Sequence, residues 1–176
     1  TEDASYLQDE AEALQYVIET VPYTETPPDG RSIAEMLLLI DHAQVNYYRP
    51  ILEDAFKNPR PTRLSNYEHF RDTFELDEEK MSNIQKVLKK LAKHRAGLVN
   101  LINNIPLIDW ERVIYRDDRE VTLYDFIQEM IRFERAELKR IADQVMVFNQ
   151  EKQTQRELER RRSRMGGQEQ SQNQTN

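Results

Sequence analysis

The feature that most constrains the fold is a long run of helical periodicity from Thr122 to Phe148. Its apolar residues recur at intervals of three and four, the spacing of one face of an amphipathic helix. Glu134 and Glu137 lie on or beside this face, where a plain helical bundle carries an apolar residue. The run therefore predicts a core helix that Thr122 and Asp125 cap at its start and that has a polar feature in its middle. The apolar positions are Leu123, Phe126, Ile127, Met130, Ile131, Phe133, Leu138, Ile141, Val145 and Phe148.

Three more long helices are predicted upstream of this run. The first covers Ala4–Val21, with an apolar residue at every third or fourth position. The second opens with Ser32 and Glu35, which have the spacing of a capping box. Pro50 lies inside the second helix and should kink or restart it, because proline removes a backbone hydrogen bond. The third runs from Asp77, a good N-cap, to Ile105.

The segments between and after these helices complete the predicted fold. Residues 65–76 favour one or two extra helical turns. The connection 106–121 is long for a helical hairpin and suggests an ordered crossover with a short extended piece. The prediction is an all-α, four-helix bundle with long crossover connections over residues 1–149. Residues 150–176 should form a charged helical extension that ends in a disordered polar tail.

Composition excludes several classes of protein. The chain has no cysteine, so it holds no disulfide and no thiolate metal site. Its net charge is −7, and the tail from Gln150 is basic, so the body is more acidic still and a nucleic-acid-binding surface is not expected. The polar, acidic N-terminus and the short apolar runs predict a cytoplasmic protein without a membrane segment.

Several stretches together resemble the DinB/YfiT-like family of four-helix bundles. One helix ends at Val21 before proline, and a loop of the form PPDG-x-S then opens the second helix. The Asp41–His42 pair follows a little over two turns later, and WERVIYRDDREVTLYDFIQ is similar to the family's crossover and last helix. The resemblance covers about residues 5–147, and a bundle of this kind is predicted to form a homodimer through its helix faces. The resemblance also implies a divalent metal, commonly zinc or nickel, held by three histidines.

The implied metal set is incomplete in this chain. The ligand from the second helix falls on His42, and the His-x-x-x-His pair of the last helix falls on Phe133 and Glu137. Residues four apart share a helix face, which is why such a pair can bind one ion. Phe133 cannot bind a metal, whereas Glu137, with Glu134 or Glu129, supplies only carboxylate oxygens. The metal candidates are therefore His42, Glu137 and Glu134, in a degenerate site.

Three functions remain open at this point. The first is a non-catalytic DinB-like protein, small-ligand-binding or stress-associated, in which His42 and Glu137 pair without a cofactor. The alternative is a divalent-metal-dependent enzyme of the thiol-transferase or hydrolase type that uses His42 and carboxylates of the last helix. The third is an interaction protein that works through the basic run Arg160–Arg162, although interleaved glutamates favour a solvated helix there. His94, alone on a predicted core stripe, is expected to be structural.

Overall fold

The structure, a computed structural model, describes residues 2–28 and 30–172, and side chains as far as residue 164. The described chain is mostly helical and contains one small sheet. The helices and strands are α1 (Glu2–Val17), α2 (Ile33–Ala43), α3 (Arg49–Lys57), β1 (Thr62–Arg63), α4 (Phe70–Thr73), α5 (Glu78–Ser82), α6 (Ile84–Asn103), β2 (Val113–Arg116), β3 (Arg119–Thr122) and α7 (Leu123–Gln172).

The chain divides into two compact units, Thr1–Ile141 and Ala142–Asn176. The first contains the hydrophobic core, and the second is the later part of α7 and the residues after it. The predicted domain boundary after residue 149 stays a prediction. The last four residues of the predicted disordered tail, 173–176, lie outside the described residues.

Side chains predicted as caps do begin their helices. Ser32 accepts a hydrogen bond from the Glu35 amide at 3.1 Å, which starts α2. Thr122 accepts one from the Asp125 amide at 3.1 Å at the start of α7. In both cases the side-chain oxygen satisfies an N–H that has no partner within the helix.

The predicted interruption at Pro50 is confirmed. A π-helical turn, Gln44–Tyr48, separates α2 from α3, and Pro50 lies in the first turn of α3. The π turn runs directly into α3, with the Arg49 amide donating to the Gln44 carbonyl oxygen, so Pro50 lies where the α-helical hydrogen-bond pattern is already interrupted. The extra residue of the π turn brings Gln44, Tyr47 and Tyr48 into the interior, where all three are buried.

The single helix predicted from Asp77 to Ile105 is wrong in one respect, because the structure forms two helices there, α5 and α6. Asp77 caps α5 by accepting from the Lys80 amide at 3.0 Å, as expected. Asn83 then leaves the helical conformation, with φ −118° and ψ 64°, and caps α6 by accepting from the Lys86 amide at 3.3 Å. An asparagine side chain competes well for backbone amides, and this favours a new helix start over continuation.

The all-α prediction misses a three-stranded sheet in the described chain. β2 pairs in parallel with β1 and antiparallel with β3. The tight β2–β3 turn contains Asp117 at φ 53°, a left-handed conformation that aspartate tolerates better than most residues. The extended piece expected in the crossover is therefore a full hairpin, with β1 added at its edge.

The core lies among α2, the π turn, α3, α6 and the first part of α7. α1 and α2 both pack against α6. The single turn of α4, within the extra segment predicted at residues 65–76, contributes buried Phe70. None of the described helices has the length and apolar character that crossing a membrane requires.

Candidate functional site

A groove of about 530 Å³ opens between α2 and α6. Its walls are the end of α2 with the π turn, the segment 74–83, and the first half of α6. We call it the α2–α6 groove. A volume of this size lies in the range of small-molecule sites, about 300–1,000 Å³. Apolar Leu38, Val45, Phe74 and Val87 line it together with charged and histidine side chains.

A carboxylate holds His94 in place at the groove. His94 Nδ1 lies 2.8 Å from Asp41 Oδ1, and because a carboxylate only accepts hydrogen bonds, Nδ1 carries the proton. Gln44, which is 1% exposed, donates to the same Asp41 oxygen at 3.2 Å and to the Leu91 carbonyl oxygen at 3.2 Å. Nε2 of His94 has no hydrogen-bond partner among the described residues, and the residue lines the groove.

His42 also lines the groove, but both of its ring nitrogens are occupied. The Asn46 amide lies 3.0 Å from Nδ1, and Thr73 Oγ1 lies 2.9 Å from Nε2. Because the Asn46 amide donates, Nδ1 accepts and Nε2–H donates to Thr73, which describes a neutral ring. Burial lowers the pKa of His42, and the Asp41 carboxylate opposes that effect. His42 thus links α2 to α4.

Glu134 lies in the interior, paired with Arg95 of α6. Both side chains are almost completely buried. Burial raises the pKa of Glu134, and the Arg95 guanidinium acts against this rise. Among the described residues, Nε of Arg95 has no hydrogen-bond partner. The partner of Glu134 therefore comes from another helix and not from its neighbours on α7.

Glu137, 1% exposed, is paired with arginines. Its Oε1 accepts from Arg140 Nη1 at 2.8 Å and lies 3.8 Å from Arg71 Nη2. Its Oε2 is buried without a hydrogen-bond partner in the described part of the chain. The Arg71 guanidinium also lies 5.2 Å above the Phe133 ring, a cation–π geometry. Glu137 is therefore part of a packed contact between α4 and α7.

The residues predicted to bind one metal ion instead contact different protein partners. The predicted His42–Glu137 pair is wrong, because each side chain makes the other contacts described above. Within the ranges 2–28 and 30–164, no three His, Cys, Asp or Glu residues are placed to hold a metal ion. Phe133 packs against Phe70 with ring centroids 4.8 Å apart. Glu129, the spare carboxylate, forms two hydrogen bonds with Arg116.

Sequence reasoning missed two parts of this arrangement. It assigned His94 to the core stripe of its helix, whereas Arg95 is the fully buried residue and His94 borders the groove. Arg95 is four residues after Leu91 and three before Leu98, so its position already fitted the apolar spacing. Sequence reasoning also overlooked that Lys86, Lys90 and His94 share one face of α6. Their four-residue spacing places them there, and all three line the groove.

Comparison with other proteins adds no family to these observations. The sequence matches no protein-family model and no curated protein.

Proposed function

We propose that this chain is a DinB-like four-helix-bundle protein that binds a small molecule in the α2–α6 groove and has a degenerate metal site. The observation that carries the proposal is the groove itself, which combines an apolar patch, formed by Leu38, Val45, Phe74 and Val87, with the free Nε2 of His94. Ligand sites commonly combine a mostly apolar wall with a few placed polar groups. The Gln44–Asp41–His94 contacts orient the imidazole before any ligand arrives, which lowers the cost of binding.

Helix packing supports the bundle part of the proposal. Four helical rods are long enough to build a bundle if α2, the π turn and α3 are counted as one interrupted rod. The other three are α1, α6 and the first part of α7, and both α1 and α2 pack on α6. The three-stranded sheet then belongs to the crossover connections. The homodimer and the cytoplasmic location stay predictions.

The contacts of the metal candidates favour a degenerate site over the metal-dependent enzyme. An ion at His42 has to displace Asn46 or Thr73 from the ring nitrogens. At Glu137 it meets the positive charge of Arg140, and the position of the missing third ligand is filled by Phe133. The commonest reason for a buried carboxylate beside arginine is charge compensation.

Fragment binding observed by NMR on the full chain tests the proposal. We expect shifts from bound fragments to cluster at the α2–α6 groove, and Val45→Trp to abolish them because the indole obstructs the groove. Val17→Trp is a matched control, because Val17 is similarly exposed and lies outside the groove. The proposal fails if no fragment perturbs the groove, or if the two tryptophan variants lose binding equally.

A further inference from the structure

Several charges around the α2–α6 groove are neutralised internally. His94 is paired with Asp41, as described above. Lys80 Nζ lies 2.9 Å from Asp77 Oδ2. Charges committed to a neighbour in this way are poor anchors for a ligand, because binding has to break the existing pair first. The groups left over decide which ligand the groove favours.

The remaining positive charges of the groove lie on α6, and the remaining negative charges lie on the segment before it. Lys86 and Lys90 lie one helical turn apart on α6, and both border the groove. Glu75 and Glu79 border it from the segment that precedes α6. None of these four side chains forms a salt bridge with another residue of the described chain. Two positive and two negative groups therefore face the same groove from different walls.

The apolar lining lies between these charged groups. Leu38 and Val87 are buried, and Phe74, partly buried, contacts the edge of His42 with ring centroids 5.6 Å apart. Burial of an apolar ligand group against such a lining supplies most of the binding free energy, whereas charges at the rim mainly select the ligand. A ligand that carries only a negative charge is repelled by the glutamates. A ligand that carries only a positive charge is repelled by the lysines.

We propose that the groove takes a small zwitterion with an apolar body, its anionic group toward Lys86 and Lys90 and its ammonium toward Glu75 and Glu79. This inference rests on the proposed ligand-binding function and deepens it by naming the ligand class. Amino acids and short peptides with an apolar side chain share this chemistry, and they differ in the distance between their two charges.

Calorimetric titration of the full chain with matched probes tests the charge requirement. The probes are L-phenylalanine and L-alanyl-L-phenylalanine as zwitterions, with phenethylamine and 3-phenylpropionate as the single-charge controls that keep the same ring. We expect one zwitterion or both to bind at least about fivefold more tightly than either single-charge probe. The better zwitterion reports the charge separation that the groove accepts. Equal or weaker binding of both zwitterions overturns the inference.

Charge-removing variants assign each end of the ligand. Lys90→Gln should weaken the zwitterion and 3-phenylpropionate about threefold to fivefold, whereas phenethylamine, which Lys90 repels, should bind equally well or more tightly. Glu75→Gln should weaken the zwitterion and phenethylamine instead. Lys89→Gln and Glu68→Gln are matched controls, because both residues are exposed and neither borders the groove. A loss of zwitterion affinity in the controls equal to that in the groove variants contradicts the assignment.

The outcomes separate this inference from the proposed function. If all four probes bind with the same affinity and Val45→Trp abolishes their binding, the groove is a small-molecule site but the zwitterion inference is wrong. If none of the probes binds while other fragments perturb the groove, the zwitterion inference is again wrong and the proposed function stands. If neither probes nor fragments perturb it, both proposals fail together.

Discussion

Two consecutive residues of α6, His94 and Arg95, belong to regions of opposite character. His94 borders the α2–α6 groove, where charges are exposed and a ring nitrogen is free. Arg95 is completely buried and paired with Glu134 of α7. Successive residues on a helix point about 100° apart, so one step along the chain is enough to change region. The comparison shows that a charged residue's role here depends on its helix face and not on its neighbours in sequence.

The energetics of the two regions differ for the same reason. A buried charge needs its partner, because the surroundings cannot replace the lost hydration. A charge at the groove is hydrated when no ligand is present, so it needs no protein partner and is free to contribute to ligand selection. The buried pair is expected to govern stability, and the groove charges are expected to govern binding.

The largest effect should come from breaking the buried pair. Arg95→Met leaves Glu134 buried without a cation, and we expect the free energy of unfolding to fall by about 3–5 kcal/mol. Urea denaturation measures it. The double variant Arg95→Met/Glu134→Leu should recover most of the loss, since an apolar pair of similar volume replaces the ions. A loss below about 1 kcal/mol in the single variant would show that the pair is solvated, as exposed ion pairs are.

A smaller effect is expected at Phe133, which occupies the position of a family metal ligand. Phe133→Ala removes the ring that packs on Phe70 and lies below the Arg71 guanidinium. Because Phe133 is only partly buried, we expect a loss of about 2 kcal/mol, less than for a fully buried phenylalanine. Phe133→Leu should cost less than about 1.5 kcal/mol. Equal stability of the alanine variant and the wild type would show that this packing is not formed.

His42 predicts a modest dependence of stability on pH. Its pKa is lowered in the folded protein, so the unfolded chain binds a proton more readily. The free energy of unfolding should therefore fall as the pH decreases through about 6.5, the unfolded value, and the loss is complete below the folded pKa. The pKa of His69 is also lowered and acts in the same direction, whereas the raised pKa of Glu134 acts oppositely.

Comparison with His42→Asn isolates the contribution of this histidine. The variant lacks the titrating group but keeps the other ionisable residues, so its stability should decrease less between pH 7.5 and 5. Denaturation at several pH values measures the difference. Parallel pH profiles for the two proteins would show that His42 titrates alike in the folded and unfolded states.

The smallest effect is expected from metal removal. Because protein groups bind both ring nitrogens of His42, and arginines compensate the charge of Glu137, a chelator should leave the thermal midpoint of the purified protein unchanged. Elemental analysis of the wild type and His42→Ala completes the test. A stoichiometric divalent ion that is present in the wild type and lost in the variant would restore the metal-dependent enzyme as the better hypothesis.

Local signals in the sequence were sufficient for the helix ends. Ser32, Asp77 and Thr122 cap helices where they were expected to, and Pro50 follows an interruption. Each of these effects involves atoms within four residues along the chain, and the sequence displays them directly. The start of α6 at Asn83 was missed because asparagine within an apolar rhythm is compatible with both continuation and a new cap.

The sequence by itself determined that the chain is mostly helical, where most long helices begin, and that Glu134 and Glu137 lie on an inward face. Only the tertiary structure decided their partners, Arg95 for Glu134 and Arg140 with Arg71 for Glu137. It also decided that Asp41 holds His94 at the groove. The physical reason is that caps and periodicity are local properties of a helix. Pairing of charges between helices depends on their rotation and register, and these are set by the packing of the whole core.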